Sequence, residues 1–284
     1  MLPDRENRMK VADVIASVRS ALAARGGDAP GEGLLAGKPG NPVRRVIVCQ
    51  SPSVAILREA AVRPGTLVIS REHPFYLHDD SAWSVGVDTE LAKAHDPVVA
   101  GKKQIIEAGG VAVYRLCTLW DRAHPKAQAD ALAKALGWAA GESGAGRKAV
   151  CDIAPVSLGE LAPFVRDRLD AGHVRVMGAR DAVIRRVALL PEFVTVADAR
   201  DAIAMTPAVD AIVCGESCEW EAAVYLKDTL RISRAAASVI FAGTQPTQEP
   251  GVRAMFEWLQ QTVPGAPMTY ADAVRPVRSL EHGA

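Results

Sequence analysis

The stretch Leu67-Val-Ile-Ser-Arg-Glu-His-Pro-Phe-Tyr76 decides how the chain is read. Leu67 to Ser70 is a short apolar, β-branched run behind the turn signal Pro64-Gly65, and the two together predict a buried strand. At its end the side chains change abruptly to Arg71, Glu72 and His73, and Pro74 stops the ladder because it has no N–H to donate. In open α/β sheets, chemistry gathers where strands stop and loops begin. A carboxylate beside an imidazole at such a place can hold a metal or move a proton. A solvated strand exit with a surface ion pair is the plainer alternative.

The flanking sequence repeats this strand-then-helix grammar. Residues 43–49 read as strand and 52–61 as helix, with Pro52 near its first turn. Asp96-Pro97 reads as the N-cap and first residue of a helix closed by Gly109-Gly110. Residues 111–117 form a further strand that ends near Asp121, and 125–136 a helix closed by Gly137. Ahead of all these, Val11, Val14, Ile15, Val18 and Leu22 make the stripe of an amphipathic helix, and the Gly- and Pro-rich residues 25–42 read as loop. Residues 141–148 read as a flexible joint, after which 157–169 has helical spacing and 174–177 forms a short strand.

The second half then echoes the first. Arg185-Arg186-Val187 answers Arg44-Arg45-Val46, and the strand 211–216 runs into Glu216 as 67–72 runs into Glu72. Helices at 196–205, 220–230 and 252–261 and a strand at 237–242 continue the parallel. An offset of about 140 residues is too long for a solenoid repeat and indicates a duplicated domain. The expected fold class is α/β: two pseudo-repeated domains, 1–140 and 149–284, with mixed or parallel sheets facing a central cleft.

Composition sets outer limits. In 284 residues there are 33 Lys+Arg and 33 Asp+Glu, so the chain lacks the basic excess of a dedicated nucleic-acid binder. No apolar run approaches the roughly 20 residues that span a bilayer, and Asp13, Arg19 and Arg25 interrupt any signal-peptide core. Five scattered cysteines suit reduced thiols, so a cytoplasmic location is expected. Cys214 and Cys218 have no second pair to complete a zinc site and read as small buried hydrophobes. There is no G-x-x-x-x-G-K, no G-x-G-x-x-G after a strand and no G-x-S-x-G elbow.

Several blocks together carry a resemblance: Val46-Ile-Val to Pro74; Ala112-Val-Tyr to Asp121; Leu158-Gly-Glu-Leu-Ala162 with Val174-Arg-Val-Met-Gly178; Cys214-Gly-Glu216; and Ala242-Gly-Thr to Gly251-Val252. In order and spacing the chain resembles the dinuclear-metal-centre proteins known as GTP cyclohydrolase I type 2 homologues, or Nif-three-like proteins. Glu219-Trp-Glu221 and Phe75-Tyr-Leu-His-Asp-Asp80 look most like a divergent branch of that family. The resemblance implies two divalent ions (Zn, Mn, Fe or Co) held by five side chains, and a homo-oligomer, commonly hexameric, with a small-molecule ligand in the inter-domain cleft.

Carried over by position, the His-His-Pro block falls on Glu72 and His73 if Pro74 is the anchor. It falls on Arg71 and Glu72 if Phe75-Tyr76 is. Asp121 fills the next ligand position, with Cys117 where a His would stand. Gly-His-x-x-x-Glu falls on Gly243 to Gln248, so Thr244 and Gln248 replace two strong ligands, and Glu249 lies one place too far along. Glu72, His73 and Asp121 remain as a one-ion set, with Glu216 or Glu249 as a source of a fourth oxygen. Arg71, turned inward, would face a phosphate or fill the space of a metal. His78-Asp79-Asp80 reads either as added ligands or as a solvated loop tip. Two functions follow: a metal-dependent hydrolase of a small nucleotide-like or heterocyclic substrate, and a non-catalytic oligomeric binding or assembly protein that keeps the fold without the metal.

Overall fold

The computed structural model describes residues 9–23, 31–76, 96–141, 148–232, 237–273 and 275. The loop His78-Asp79-Asp80 and most of the expected joint at 141–148 lie outside the described residues. Two compact units divide the chain: Met1–His124 with Met255–Val274, and Pro125–Ala254 with Arg275–Ala284.

The first unit opens with α1 (Val11–Ala21), β1 (Gly33–Ala36), β2 (Arg45–Cys49), α2 (Val54–Ala61), β3 (Thr66–Ser70), α3 (Pro97–Gly109), β4 (Ala112–Arg115) and α4 (Thr118–Ala123). The second unit follows with α5 (Ala127–Leu136), β5 (Ala149–Ser157), α6 (Leu158–Arg168), β6 (Arg175–Met177), β7 (Val183–Val194), α7 (Val196–Ile203), β8 (Ala211–Ser217), α8 (Ala222–Ile232) and β9 (Ser238–Phe241). Helix α9 (Thr244–Thr262) leads back into the first unit, which β10 (Met268–Ala271) completes.

Among the described residues, each unit holds a five-stranded sheet, in the orders β1-β4-β3-β2-β10 and β5-β7-β8-β9-β6. In the first, β4, β3, β2 and β10 are parallel and β1 is antiparallel at the edge. In the second, β7, β8 and β9 are parallel between two antiparallel edges. Among the described residues, the element order from α1 to β4 is α-β-β-α-β-α-β, and from α6 to β9 it is the same. The equivalent strands also occupy equivalent places, β1-β4-β3-β2 and β6-β9-β8-β7. The duplicated topology is therefore present in the strand order itself. The copies differ at the far edge, where β10 runs parallel to β2 but β5 runs antiparallel to β7.

Burial on both faces explains why the strands read as continuous apolar runs. In the second sheet, Val187, Leu189, Ala211, Val213 and Ile240 pack on one side with Leu132 and Leu136 of α5 and Leu158, Leu161 and Val165 of α6. Their neighbours Ala188, Leu190, Ile212, Cys214 and Val239 pack on the other with Ala199, Ala202 and Leu226 of α7 and α8. In the first sheet Ile47, Cys49, Val68 and Val113 pack with Ile56, Leu57 and Ala60 of α2 and Ile106 of α3. The alternate residues Val46, Val48, Leu67 and Ile69 are equally buried.

Local chemistry sets the helix ends. The Asp96 carboxylate accepts from the Val98 and Val99 amides ahead of Pro97, and Gly110 closes α3 at φ 60°. Three strands and a helix depart from the sequence reading. Part of the expected loop 25–42 is β1, and β5, β10 and α4 complete the set. Helix α9 also begins at Thr244, eight residues before the expected start at Val252, and runs through Pro250. The expected halves, 1–140 and 149–284, differ from the compact units because α5 packs on the second sheet and β10 pairs with β2.

Candidate functional site

In the first unit, Arg71, Glu72 and His73 follow the end of β3, and Asp121 lies in α4. Arg71, 1 % exposed, reaches Asp121 across a sequence gap. Its Nη1 donates to Asp121 Oδ1 at 3.0 Å and its Nη2 to Oδ2 at 2.9 Å, a bidentate pair. Both carboxylate oxygens thus face a permanent cation. Behind it, buried Arg115 on β4 donates from Nε to the Arg71 carbonyl at 3.1 Å and from Nη1 to the Gly31 carbonyl at 3.0 Å.

The start of α4 is fixed by Glu32, a buried carboxylate that accepts from the Cys117 amide at 2.7 Å and the Leu119 amide at 3.1 Å. This satisfies amides that no helical carbonyl can reach, in the favourable direction of the helix dipole. Cys117 is half-buried, and burial pushes its thiol up to about 12. Arg71 opposes that rise and Asp121 and Glu72 add to it. Without a bound ion, Cys117 is therefore a thiol at neutral pH.

His73 is buried, and its Nδ1 accepts the Phe75 amide proton at 3.0 Å. That bond commits Nδ1 as an acceptor and leaves Nε2 to carry the ring proton or another contact. Glu72 is half-buried, and its amide donates to the Gln50 carbonyl at 2.8 Å. The loop beyond is clasped from α3: buried Lys102 donates to the Pro74 carbonyl at 2.7 Å and lies 4.2 Å from the Tyr76 ring centre.

The second-unit candidates gather around the C-terminal ends of β8 and β9 and the start of α9. A cavity of about 260 Å³ is lined there by His173, Arg175, Glu216, Phe241, Thr244 and Arg275, among others. Thr244 and Glu216 thus share a wall. Gln248 is buried one turn further along α9, and Glu249 accepts from Arg253 Nη2 at 3.1 Å and Arg275 Nη2 at 2.9 Å. Glu249 therefore serves a pair of arginines.

These residues do not fit a dinuclear metal centre. Asp121 is occupied on both oxygens by a guanidinium, and Thr244 and Gln248 offer only neutral oxygens and an amide. Among the described residues, no three His, Cys, Asp or Glu side chains converge as ligands to one ion.

Sequence reasoning missed Glu32, Arg115, Arg175 and Arg275. Arg115 carried a signal, a charge inside an otherwise apolar strand. Glu32 stood in a stretch read as loop, and nothing local distinguished Arg275.

A model of the Duf34/NIF3 (NGG1p interacting factor 3) family matches residues 9–271. Comparison with curated proteins finds no match. Among solved structures, protein ybgI, described as of unknown function, superposes with a TM-score of 0.71 at 21 % identity, covering 95 % of this chain and all (100 %) of its own. A Bacillus cereus protein related to NIF3 gives 0.72 at 14 % identity over 96 % of this chain and 99 % of its own. Staphylococcus aureus hypothetical protein SA1388 gives 0.71 at 13 % identity over 96 % and 100 %. At these identities the likeness is one of fold.

Proposed function

Because the chain belongs to the Duf34/NIF3 family, we propose that it is a binding and assembly member of that family in which a fixed guanidinium stands where a metal ion would otherwise face Asp121. The observation that carries this reading is the bidentate Arg71–Asp121 pair, with Arg71 buried. A guanidinium at the carboxylate neutralises it as an ion would, but it cannot lower the pKa of a bound water as a Lewis acid does. Metal-dependent hydrolysis is therefore set aside in favour of ligand binding without turnover. A cytoplasmic homo-oligomer, with the hexamer as the form implied by the family resemblance, belongs to the same reading.

Elemental analysis after incubation with Zn, Mn, Fe or Co tests it. The expected result is no stoichiometric divalent ion in the wild type. One or two tightly held ions per chain would overturn the reading and restore the hydrolase. Light scattering on the same preparation should give a multiple of the 30.1 kDa chain; a monomer at micromolar concentration would remove the assembly part.

A further inference from the structure

The second-unit cavity takes in Thr244 and Glu216, already weighed as metal ligands, and adds His173, Arg175, Arg275 and the first turn of α9, which the metal question does not use. It sits at the C-terminal ends of two adjacent parallel strands, β8 and β9, where open α/β sheets place their ligands. Gly215 and Gly243 shape it. A Cβ on Gly215 would lie 2.3 Å from the Glu192 carbonyl oxygen and 2.9 Å from Thr244 Cα, so only glycine lets β8 end so close to α9. Gly243 turns the chain into α9 at φ +91°, a conformation that glycine adopts without strain. The Gly243 amide donates to the Gly215 carbonyl at 2.9 Å, tying the two strand ends together.

Helix α9 has 19 residues, and its first turn lines this cavity. The Thr244 and Gln245 amides have no carbonyl within the helix to bond, and Pro246 has no N–H. Two polar atoms of the lining residues, Thr244 Oγ1 and Arg275 Nη1, are buried and make no hydrogen bond among the described residues. Arg275 is held in place from its other side, Nη2 donating to Glu249 at 2.9 Å and Nε lying 3.3 Å from Asp170. Arg175 pairs with Glu219, but both side chains are largely exposed, so this contact is easily exchanged for a better one. Glu216 is the one carboxylate among the lining residues, against two arginines and His173.

We propose that this cavity binds the phosphate group of a small phosphorylated molecule. Arg175 and Arg275 would contact the phosphate oxygens, the first turn of α9 would cradle them, and Phe241 with Ala171 and Ala242 would flank the organic body. The volume is below the usual drug-sized range, so the body is small, of the order of a single sugar. This inference is independent of the Arg71–Asp121 reading, because every group it uses lies in the second unit.

The test is calorimetric titration of the full chain with ribose 5-phosphate, inorganic phosphate and ribose, in the presence of EDTA. Saturable binding of ribose 5-phosphate at one site per chain, competed by inorganic phosphate and not shown by ribose, is the expected result. Arg175→Gln and Arg275→Gln should each weaken it at least about tenfold. Arg175 is exposed enough that its variant folds even if loss of Arg275 disturbs the Glu249 contact. No saturable binding of either phosphate probe, binding abolished by EDTA, or unchanged affinity in the Arg175→Gln protein would overturn the proposal. Because EDTA removes divalent ions throughout, a metal found in the first unit would leave this result interpretable.

Discussion

At Arg71 the chain places a cation almost out of water, which is costly unless a partner and further hydrogen bonds compensate. Asp121 supplies the partner, and the contact is bidentate, the geometry for which arginine is suited and lysine is not. Arg71→Met should therefore leave Asp121 poorly compensated and destabilise the fold by about 3–5 kcal/mol. The double variant Arg71→Met/Asp121→Leu should recover most of that loss, since an apolar pair carries no desolvation cost. Arg71→Lys should fall between, losing one of the two parallel bonds. Urea denaturation of the four proteins reads these differences, and equal stabilities for Arg71→Met and the double variant would show that the pair is not coupled. Part of this arrangement was legible in the sequence. The register ambiguity at Pro74 already placed Arg71 in a candidate position, and Thr244 and Gln248 were visible as weakened ligands. The pairing itself was not legible: Arg71 and Asp121 are 50 residues apart, joined by tertiary packing rather than any local pattern.

The elements show the same division between local and distant causes. Helices whose ends are set by their own residues were readable, such as α3 with Asp96, Pro97 and Gly110, or α6 with the reciprocal Ser157–Glu160 cap. Of the short edge strands, β6 was read at 174–177, but β1 and β10 were not. The four residues of β1 and the four of β10 exist because β4 and β2 offer them an edge, and their sequences alternate too briefly to show a period. Helix α4 is shorter still and depends on a cap from far away, the Glu32 carboxylate, 85 residues before Cys117. Glu32→Ala would leave the Cys117 and Leu119 amides without that acceptor in a buried setting, at a cost of about 2–3 kcal/mol. Glu32→Gln keeps one acceptor oxygen and should recover part of it. Because α4 carries Asp121, the Ala variant should also raise amide hydrogen exchange across Thr118–Ala123. Unchanged exchange there would mean that the helix is held by its packing alone.

At the scale of the whole molecule, the duplication gives both units a sheet buried on two faces, and each buries a thiol within it. Cys49 ends β2 in the first unit and Cys214 lies in β8 in the second, neither with measurable exposure beyond 1 %. Burial pushes the Cys49 thiol up to about 12 from an ordinary 9.0, with Lys102 opposing, and raises that of Cys214 as well. Below pH 9 both folded and unfolded chains keep these protons, and the thiols contribute no pH dependence. Between 9.0 and about 12 the unfolded chain releases the Cys49 proton while the folded chain retains it, so raising the pH favours unfolding. Stability should therefore fall through this window, with Cys49 adding a slope that approaches about 1.4 kcal/mol per pH unit. Lysines and tyrosines also titrate there, so the difference between wild type and Cys49→Ala isolates the thiol. The variant should be somewhat less stable at pH 8, where it lacks only the packing of the sulfur, and should close that gap as the pH rises towards 10.5. Parallel stability curves from pH 8 to 10.5 would show that water reaches Cys49 in the folded chain and that the first sheet is less closed than its packing implies.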